Sequence, residues 1–597
     1  MAVAGRTLTF MNDIAEPHGL ATSIANKYTQ WNSAMSVKRA EWREQRNYIF
    51  QTSTADTANS ALPWKNSTST PKLTQIRDNL HANYMAALFP NERWLTWQGG
   101  NEESELAEKR KAITAYMRNK TEHTNFRGTV SQLVLDWIDT GNVYATTEYV
   151  NDVHQREGED PIINYIGPRL VRISPYDIVY NITAASFEDT PKILRSVKSL
   201  GDIKRDIMDK PELGYQSAVF DQMIDARQRM AALGTNDRAD IDKSVGFEID
   251  GFGSISHYFD SGMVEILEFY GTMYDQDTDT LFPNQVITVV DRMFVIRNEP
   301  IPSWNVNKIR HVGWRLRPDN LVAMGPLDNL VGMQYRIDHL ENLKADVFDL
   351  IAHPVAKIKG YVEDFVYGPG ERIVLGDDGE VTWDRPPETA LNADTQIAIL
   401  EQKMEDYAGA PRQAMGIRTP GEKTKFEVQV LENGSGRIFQ NKTSFFEQMF
   451  LEPLLNDMLI TARENMDGSD LIRVMDDEID VALFETITRE DLTATGILRP
   501  IGARHFATKA NMLQNLVQFA NSALGQDPGI RIHMSGKRMA RVIEDLLGVP
   551  EFGLVSDNVQ ILENTETQRL AQAAQEQVDT EAQTPAGVTP DEEELIG

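Results

Sequence analysis

Apolar residues recur three and four apart over long stretches of this chain, and shorter stretches alternate strictly. From Pro71, the positions Leu73, Ile76, Leu80, Tyr84 and Leu88 predict a helix that stops at Pro90. Residues 20–50, rich in Trp, Arg and Gln, predict another, as do about 103–120 and 126–140, the last ending near Gly141. The polar stretch 51–70 reads as a loop or a flexible arm. The period then changes. Residues 142–150 and 161–181 alternate and are β-branched, which predicts strands. A charged helical region covers about 198–232, and strands follow at 263–274 and 280–299 around the turn Asp275–Asp279. Residues 1–320 thus read as one large α+β region.

The second half is more regular. Pro326 opens a helix to about His353, with Leu330, Met333, Ile337, Leu340, Val347 and Ile351 on one stripe. The other face carries Asp328, Arg336, Asp338, Glu341, Lys344 and Asp346. At about 1.5 Å per residue this helix is roughly 40 Å long. Residues 355–384 switch to short strands, and Asp378-Gly379 is a hairpin signal. A helix returns over about 388–408. Residues 409–424, punctuated by Pro411, Gly416, Pro420 and Gly421, read as a loop. A very long helical pattern covers about 422–465, with kinks expected at Gly434-Ser435-Gly436 and at Pro453. Strands are expected at LIRVMD and ALFETI, and helices at 504–523 and 535–547. The last residues are rich in Gln, Ala and Glu and end acidic.

Composition narrows the function classes. The 597 residues carry 59 Lys+Arg against 89 Asp+Glu, a net charge of −30, so the chain is not built to coat nucleic acid or an anionic membrane. With no cysteine, a disulfide scaffold, a thiolate zinc site and a cysteine nucleophile are all excluded. The N-terminus shows no basic-then-apolar secretory pattern, and no apolar run is long enough to predict a transmembrane helix.

Catalytic motifs are broken where they are approached. GIRTPGEKT (416–424) resembles a P-loop, but Glu422 separates Gly421 from Lys423 and would repel a phosphate. Asp275, Asp277 and Asp279 start like an EF-hand loop, yet Thr280 and Val286 stand where Gly and Glu are needed. No H-E-x-x-H or G-x-S-x-G occurs. The basic residues Arg412, Arg418, Lys423 and Lys425 are unusual in so acidic a chain, and cations on a loop can contact a phosphate backbone without reading sequence. The bland alternative is a solvated surface loop.

The order of elements is more telling. A long helix, a strand-rich excursion of about thirty residues, a returning helix, a Pro/Gly loop and a very long kinked helix follow one another. In this order, and in residues 325–360, 409–459 and 70–97, the chain resembles the portal (head-to-tail connector) proteins of tailed bacteriophages. The resemblance implies a portal-type α+β architecture that assembles as a ring of twelve subunits around a channel. It would place a wing at 1–320, stem helices at 321–353 and 388–408, and a small β-rich clip at 354–387. A tunnel loop at 409–424 and a long kinked wing helix with returning strands at 425–494 would follow. A helical crown would cover 495–555, and 556–597 would be a barrel extension or a disordered tail.

The implied role is a conduit at one capsid vertex for packaging and ejecting double-stranded DNA. The implied partners are the large terminase subunit, tail adaptor or head-completion proteins, and the major capsid and scaffolding proteins, with no membrane. The location would be the virion, after assembly in the host cytoplasm. No cofactor, metal or catalytic residue is implied. Arg412, Gln413, Arg418, Lys423 and Lys425 would face DNA from the tunnel loop, while Lys357, Lys359, Tyr361, Asp377, Asp378 and Trp383 would serve docking in the clip. An acidic wall suits a conduit, because each phosphate neutralised adds a brake on sliding. Twelve copies would carry 12 × −30 = −360 formal charges. The competing readings are a nuclease or NTPase with a site assembled in the N-terminal α+β region, and a head-completion or tail-tube protein. Neutralising Arg412, Arg418, Lys423 and Lys425 together is expected to leave ring assembly intact and to impair DNA packaging or retention; normal packaging and retention would remove the tunnel-loop assignment.

Overall fold

The computed structural model describes residues 7–10, 17–50, 69–90, 94–98, 104–154, 162–233, 262–275, 279–302, 309–352, 355–360, 362–363, 374–375, 377–384, 392–409, 438–466, 469–475, 482–492, 496–500 and 516. The chain divides into two compact units, 1–474 with 484–503 and 475–483 with 504–597. The described residues lie almost wholly in the first unit, a mixed α+β fold. Residues 51–68 of the expected 51–70 arm, the Gly434–Gly436 kink, the helix at 535–547 and all but residue 516 of the helix at 504–523 lie outside the described residues, as do nearly all of 495–555 and the whole tail 556–597.

After β1 (Thr7–Phe10), α1 (Pro17–Phe50) buries Leu20, Ile24, Tyr28, Trp31, Met35 and Trp42 at helical spacing. α2 (Lys72–Leu88) buries the predicted stripe of Leu73, Ile76, Leu80, Tyr84 and Leu88. β2 (Leu95–Gln98), α3 (Ser104–His123) and α4 (Phe126–Asp139) follow. α4 ends at Gly141, whose φ is +72°. A Cβ there would stand 2.3 Å from the backbone nitrogen of Gly325, so only glycine admits this crossing of the two segments.

β3 (Asn142–His154) and β4 (Ile162–Ile173) form an antiparallel pair. β5 (Ile178–Tyr180) and β6 (Lys192–Ser199) lead into α5 (Leu200–Asp209) and α6 (Ser217–Leu233), and β7 (Met263–Asp275), β8 (Thr280–Val290) and β9 (Phe294–Pro300) complete a sheet ordered β5-β6-β7-β8-β9. β1 adds to β7 in parallel, along residues 272–275, beyond the point where β6 ends. Alternation along β7 divides the sheet's two faces. Val264 and Ile266 join Ile203, Phe220 and Met223 of α5 and α6, while Leu267, Phe269 and Met273 join the stripe of α1. Between them Glu265 is fully buried, held by Arg195 and Arg292 at 2.7 Å each.

β10 (Arg310–Gly313) pairs with β3, and β11 (Arg315–Arg317) with β12 (Asn320–Met324). The sequence reading has no strand in 182–197 or 300–324. The strands found there span three to eight residues, and their stability comes from distant partners rather than from a local pattern. Residues 321–324, which the resemblance places in the first stem segment, belong to strand β12, and the helix expected from Pro326 begins at Val331.

α7 (Val331–Ala352), β13 (Val355–Lys359), β14 (Val362–Glu363), β15 (Val374–Leu375), β16 (Glu380–Asp384) and α8 (Ala393–Ala408) form the predicted helix–strands–helix excursion. The long helix is described from residue 438. α9 (438–446) passes through a π turn, Glu447–Leu451, into α10 (Glu452–Asn465). The irregularity sits immediately before Pro453, one of the two expected kink sites. Proline has no N–H for the carbonyl one turn earlier and its ring crowds that turn, so the backbone widens there. β17 (Ser469–Met475), β18 (Ala482–Thr488) and β19 (Ile497–Pro500) close the described chain, with β19 pairing back onto β2.

Trp137 lies at the centre, with no exposed surface. Its ring centroid is 5.4 Å from Tyr84 of α2, 4.4 Å from Trp314 and 4.8 Å from Phe446 of α9. Lys442 donates to the Trp314 carbonyl and lies 5.5 Å over its ring. α10 is fastened separately. Arg310 grips Asp457 through two bonds of 2.7 and 3.0 Å, and Asn456 exchanges two bonds with the backbone of Leu498.

His311 of β10 is enclosed by Tyr144, whose ring stacks at 4.6 Å, and by Phe187 at 4.8 Å. The Asn142 amide donates to the Ala323 carbonyl and its Oδ1 accepts from the Ala323 N–H, which fixes the amide's orientation. The Nε2 of His311, 3.2 Å from that Oδ1, is therefore the donor. Burial, then Lys192, lowers the imidazole pKa to about 3. Below about pH 6.5 the unfolded chain binds a proton that the folded chain refuses. Stability is therefore expected to fall as pH drops from about 6.5 towards 3, and less steeply in His311→Gln, as measured by urea unfolding across that range.

Candidate functional site: a helical hairpin with a strand tip

The excursion projects chemistry at three places: its root, its flanks and its tip. α7 and α8 pack together, and Lys344 in the second half of α7 meets Asp394 in the first turn of α8 at 2.6 Å. Ile337 and Val347 of α7, with Ile397, Met404 and Ala408 of α8, are buried. Three polar residues one turn apart, Gln334, Asp338 and Asn342, are buried too. Sequence placed Asp328 and Asp338 on the face opposite the apolar stripe; Asp338 is buried and Asp328 half-buried, because donors from other elements reach them.

Those donors belong to the root. The Asp338 carboxylate accepts from the Thr70 N–H at 2.9 Å, from the Ser69 hydroxyl at 3.1 Å and from the Gln334 amide at 2.9 Å. Burial pushes its pKa up, and these three bonds pull against that. Asp328 accepts from Lys38 of α1 at 2.7 Å and from the Gly325 N–H at 3.0 Å; burial raises its pKa as well. Pro71 supplies no side-chain cap for α2. Gln334 does so from α7: its Oε1 accepts from Leu73 N–H at 3.0 Å, and its Nε2 donates to the Thr70 carbonyl. Lys72 then meets Glu405 of α8 at 2.6 Å, both side chains buried. One short stretch, residues 69–73, is thus tied to both helices of the hairpin.

The flanks expose large apolar side chains. Tyr335, Leu343 and Phe348 of α7 are 43–52% exposed, and Ile399 and Tyr407 of α8 are 45% and 58% exposed. Periodicity places Tyr407 with Ile397, Leu400 and Met404 on the apolar face of the second helix, and it does not single out the other four.

The tip differs from expectation in its pairing. The Asp378-Gly379 turn does not join two paired strands, because β16 pairs with β13 and β15 with β14. The strands are nested, the outer pair continuing the two helices. Gly360 (φ +78°) makes this possible, since a Cβ on it would stand 2.2 Å from the Asp378 carbonyl oxygen. Cross-strand partners share a face. Ala356 lies opposite Trp383 and Ile358 opposite Val381 on one side; Lys357 faces Thr382 and Lys359 faces Glu380 on the other. The ribbon therefore has one apolar face, with Ile358 and Trp383 exposed, and one charged face. Lys357, Lys359, Asp377, Asp378 and Trp383 all lie exposed at this tip. Tyr361 lies outside the described residues, as do Arg412, Gln413, Arg418, Lys423 and Lys425 of the expected tunnel loop. The sequence reading names neither Ile358 nor Val381 at the tip, although the alternation of VAKIK and EVTWD carries the signal for a shared apolar face.

Among the described residues no group of three or more His, Asp or Glu is placed to hold a metal ion, and no helix is long and apolar enough to cross a membrane. No protein-family model and no curated protein matches the chain.

The Lys72–Glu405 pair gives a direct test of the root. Lys72→Met removes the cation from this buried pair and is expected to cost about 3–5 kcal/mol in chemical denaturation. The double variant Lys72→Met/Glu405→Leu is expected to recover most of that loss, a coupling that a double-mutant cycle measures.

Proposed function

We propose that the chain is a portal-type subunit, assembling with identical copies into a ring of about twelve around a channel for double-stranded DNA. It acts as a conduit and a docking platform in the virion and carries out no reaction of its own. What supports this reading is the hairpin's two unlike apolar flanks. Tyr335, Leu343 and Phe348 lie on one helix, Ile399 and Tyr407 on the other. A contact between two different faces of identical chains is heterologous, and it propagates until rotation closes it into a ring. The amphipathic ribbon at the tip fits docking, its apolar face towards a neighbour or a packaging or tail protein and its charged face towards water. The basic loop inferred from sequence would meet the DNA.

The mass of the purified protein in solution, with negative-stain images of the same sample, tests the reading. A ring of about twelve chains with a central hole is expected. Leu343→Glu and Ile399→Glu, one on each flank, are each expected to block ring closure while leaving far-UV circular dichroism unchanged. A compact dimer of the wild type would overturn the reading, and intact rings from both variants would remove the two flanks as the ring contact.

A further inference from the structure

The second half of α1 carries a feature that neither the hairpin nor the core uses. Arg43, Arg46 and Phe50 lie on one exposed stripe of the helix, at helical spacing. Phe50 is 60% exposed, with the Arg46 guanidinium 5.8 Å and the Arg77 guanidinium 5.3 Å from its ring centre. The half-buried Tyr176 completes the cluster. Trp42 meets it edge-on at 5.7 Å, and its hydroxyl lies within the fields of Arg46, Arg43 and Arg39, which oppose the upward pull of burial on its pKa, and of Asp139, which adds to that pull.

The charges here are not balanced locally. Arg77 is engaged by Asp139 through two bonds of 2.6 and 2.8 Å. Asp177 lies in the fields of Arg195, Arg39 and Arg172. Among the described residues, neither Arg43 nor Arg46 has a carboxylate at ion-pair distance. Two guanidiniums with no carboxylate partner among the described residues, beside two accessible aromatic rings, are out of character in a chain of net charge −30.

We propose that this patch, formed by Arg43, Arg46, Arg77, Phe50 and Tyr176, is a docking surface for a short acidic peptide segment carrying an aliphatic or aromatic anchor. Carboxylates would pair with Arg43 and Arg46, and the anchor would pack on the Phe50 edge and Tyr176. Two observations favour a peptide over nucleic acid. The Arg46 and Arg77 guanidiniums already sit over the Phe50 ring, which leaves it poorly placed to stack a base. A polyphosphate would also feel the repulsion of the whole acidic chain, whereas a short segment feels mainly the patch, within a screening length of about 8 Å at physiological salt. The inference stands apart from the ring proposal and does not need it.

Fluorescence anisotropy with the full-length protein tests it. The probe is a short fluorescein-labelled peptide of Asp and Glu residues flanking one Leu-Leu pair. Saturable binding that weakens with salt is expected. Arg43→Glu/Arg46→Glu is expected to weaken it about tenfold or more without changing the thermal midpoint. Replacing the Leu-Leu pair with Gly-Gly is expected to weaken it too. Absence of saturable binding by the wild type, unchanged binding by the double variant, or unchanged binding of the Gly-Gly probe would each overturn the proposal. So would a labelled oligothymidylate that binds more tightly than the peptide and loses affinity with the same two substitutions, because that result assigns the patch to a phosphate backbone.

Discussion

Trp137 can be buried only if four separate segments are in place around it. Tyr84 arrives from α2, Trp314 from the turn after β10, Phe446 from α9, and Trp137 itself from the last turn of α4. Large aromatic side chains in a close-packed interior leave little freedom for a second arrangement. The consequence runs outward through the chain. Four residues after Trp137, Gly141 crosses Gly325 at backbone distance, which sets where the chain enters the hairpin root. On the opposite side, the same packing holds α9, which leads through the π turn to α10 and its Arg310–Asp457 clasp. The core packing therefore also orients the projecting element.

The hairpin is joined to this core by a different kind of contact. Apolar packing tolerates sliding, because one methyl group serves nearly as well as another. The root of the hairpin uses directional groups instead: Asp338 with three donors, Gln334 bridging Thr70 and Leu73, Lys72 with Glu405, Lys38 with Asp328. A buried ion pair adds little net stability once desolvation is counted, but any shift that separates its members leaves a buried charge unpaired, at a cost of several kcal/mol. Such a joint selects one register. In the proposed ring, a hairpin whose two flanks and tip each meet a surface needs that more than it needs extra stability.

The same distinction explains what could be read from the sequence. The stripe Leu73–Leu88 and the helix–strands–helix order follow from local periodicity, and both are present as expected. The turn at Asp378-Gly379 was placed correctly, but its role was not. Pairing of β13 with β16 is decided by Gly360 and by the ends of two helices, which no local pattern encodes. Strand β2 is invisible without β19, some four hundred residues away, as its partner. Asp338 looked like a solvent-facing residue because periodicity counts only apolar positions; its burial depends on Ser69 and Thr70, far away in sequence. Tyr407 errs in the opposite sense: the spacing Ile397, Leu400, Met404, Tyr407 puts it on the apolar face of the returning helix, yet it is 58% exposed.

Those flanks and the overall charge act at different ranges. Copies of a chain carrying −30 repel one another over distances set by the Debye length, about 10 Å at 0.1 M salt and about 30 Å at 0.01 M. Apolar contact between an α7 flank and an α8 flank acts only once the surfaces touch, and it varies little with salt. In the proposed ring, association must therefore cross an electrostatic barrier before the favourable contact begins, and counterions lower that barrier. Bringing twelve such chains together concentrates the charge further, so the assembled ring must hold condensed cations that the free subunit does not. Charge that keeps subunits apart at low salt and a hydrophobic seam that holds them once joined give assembly that is slow to start and hard to reverse, a combination suited to a structure built once and then used as a fixed passage.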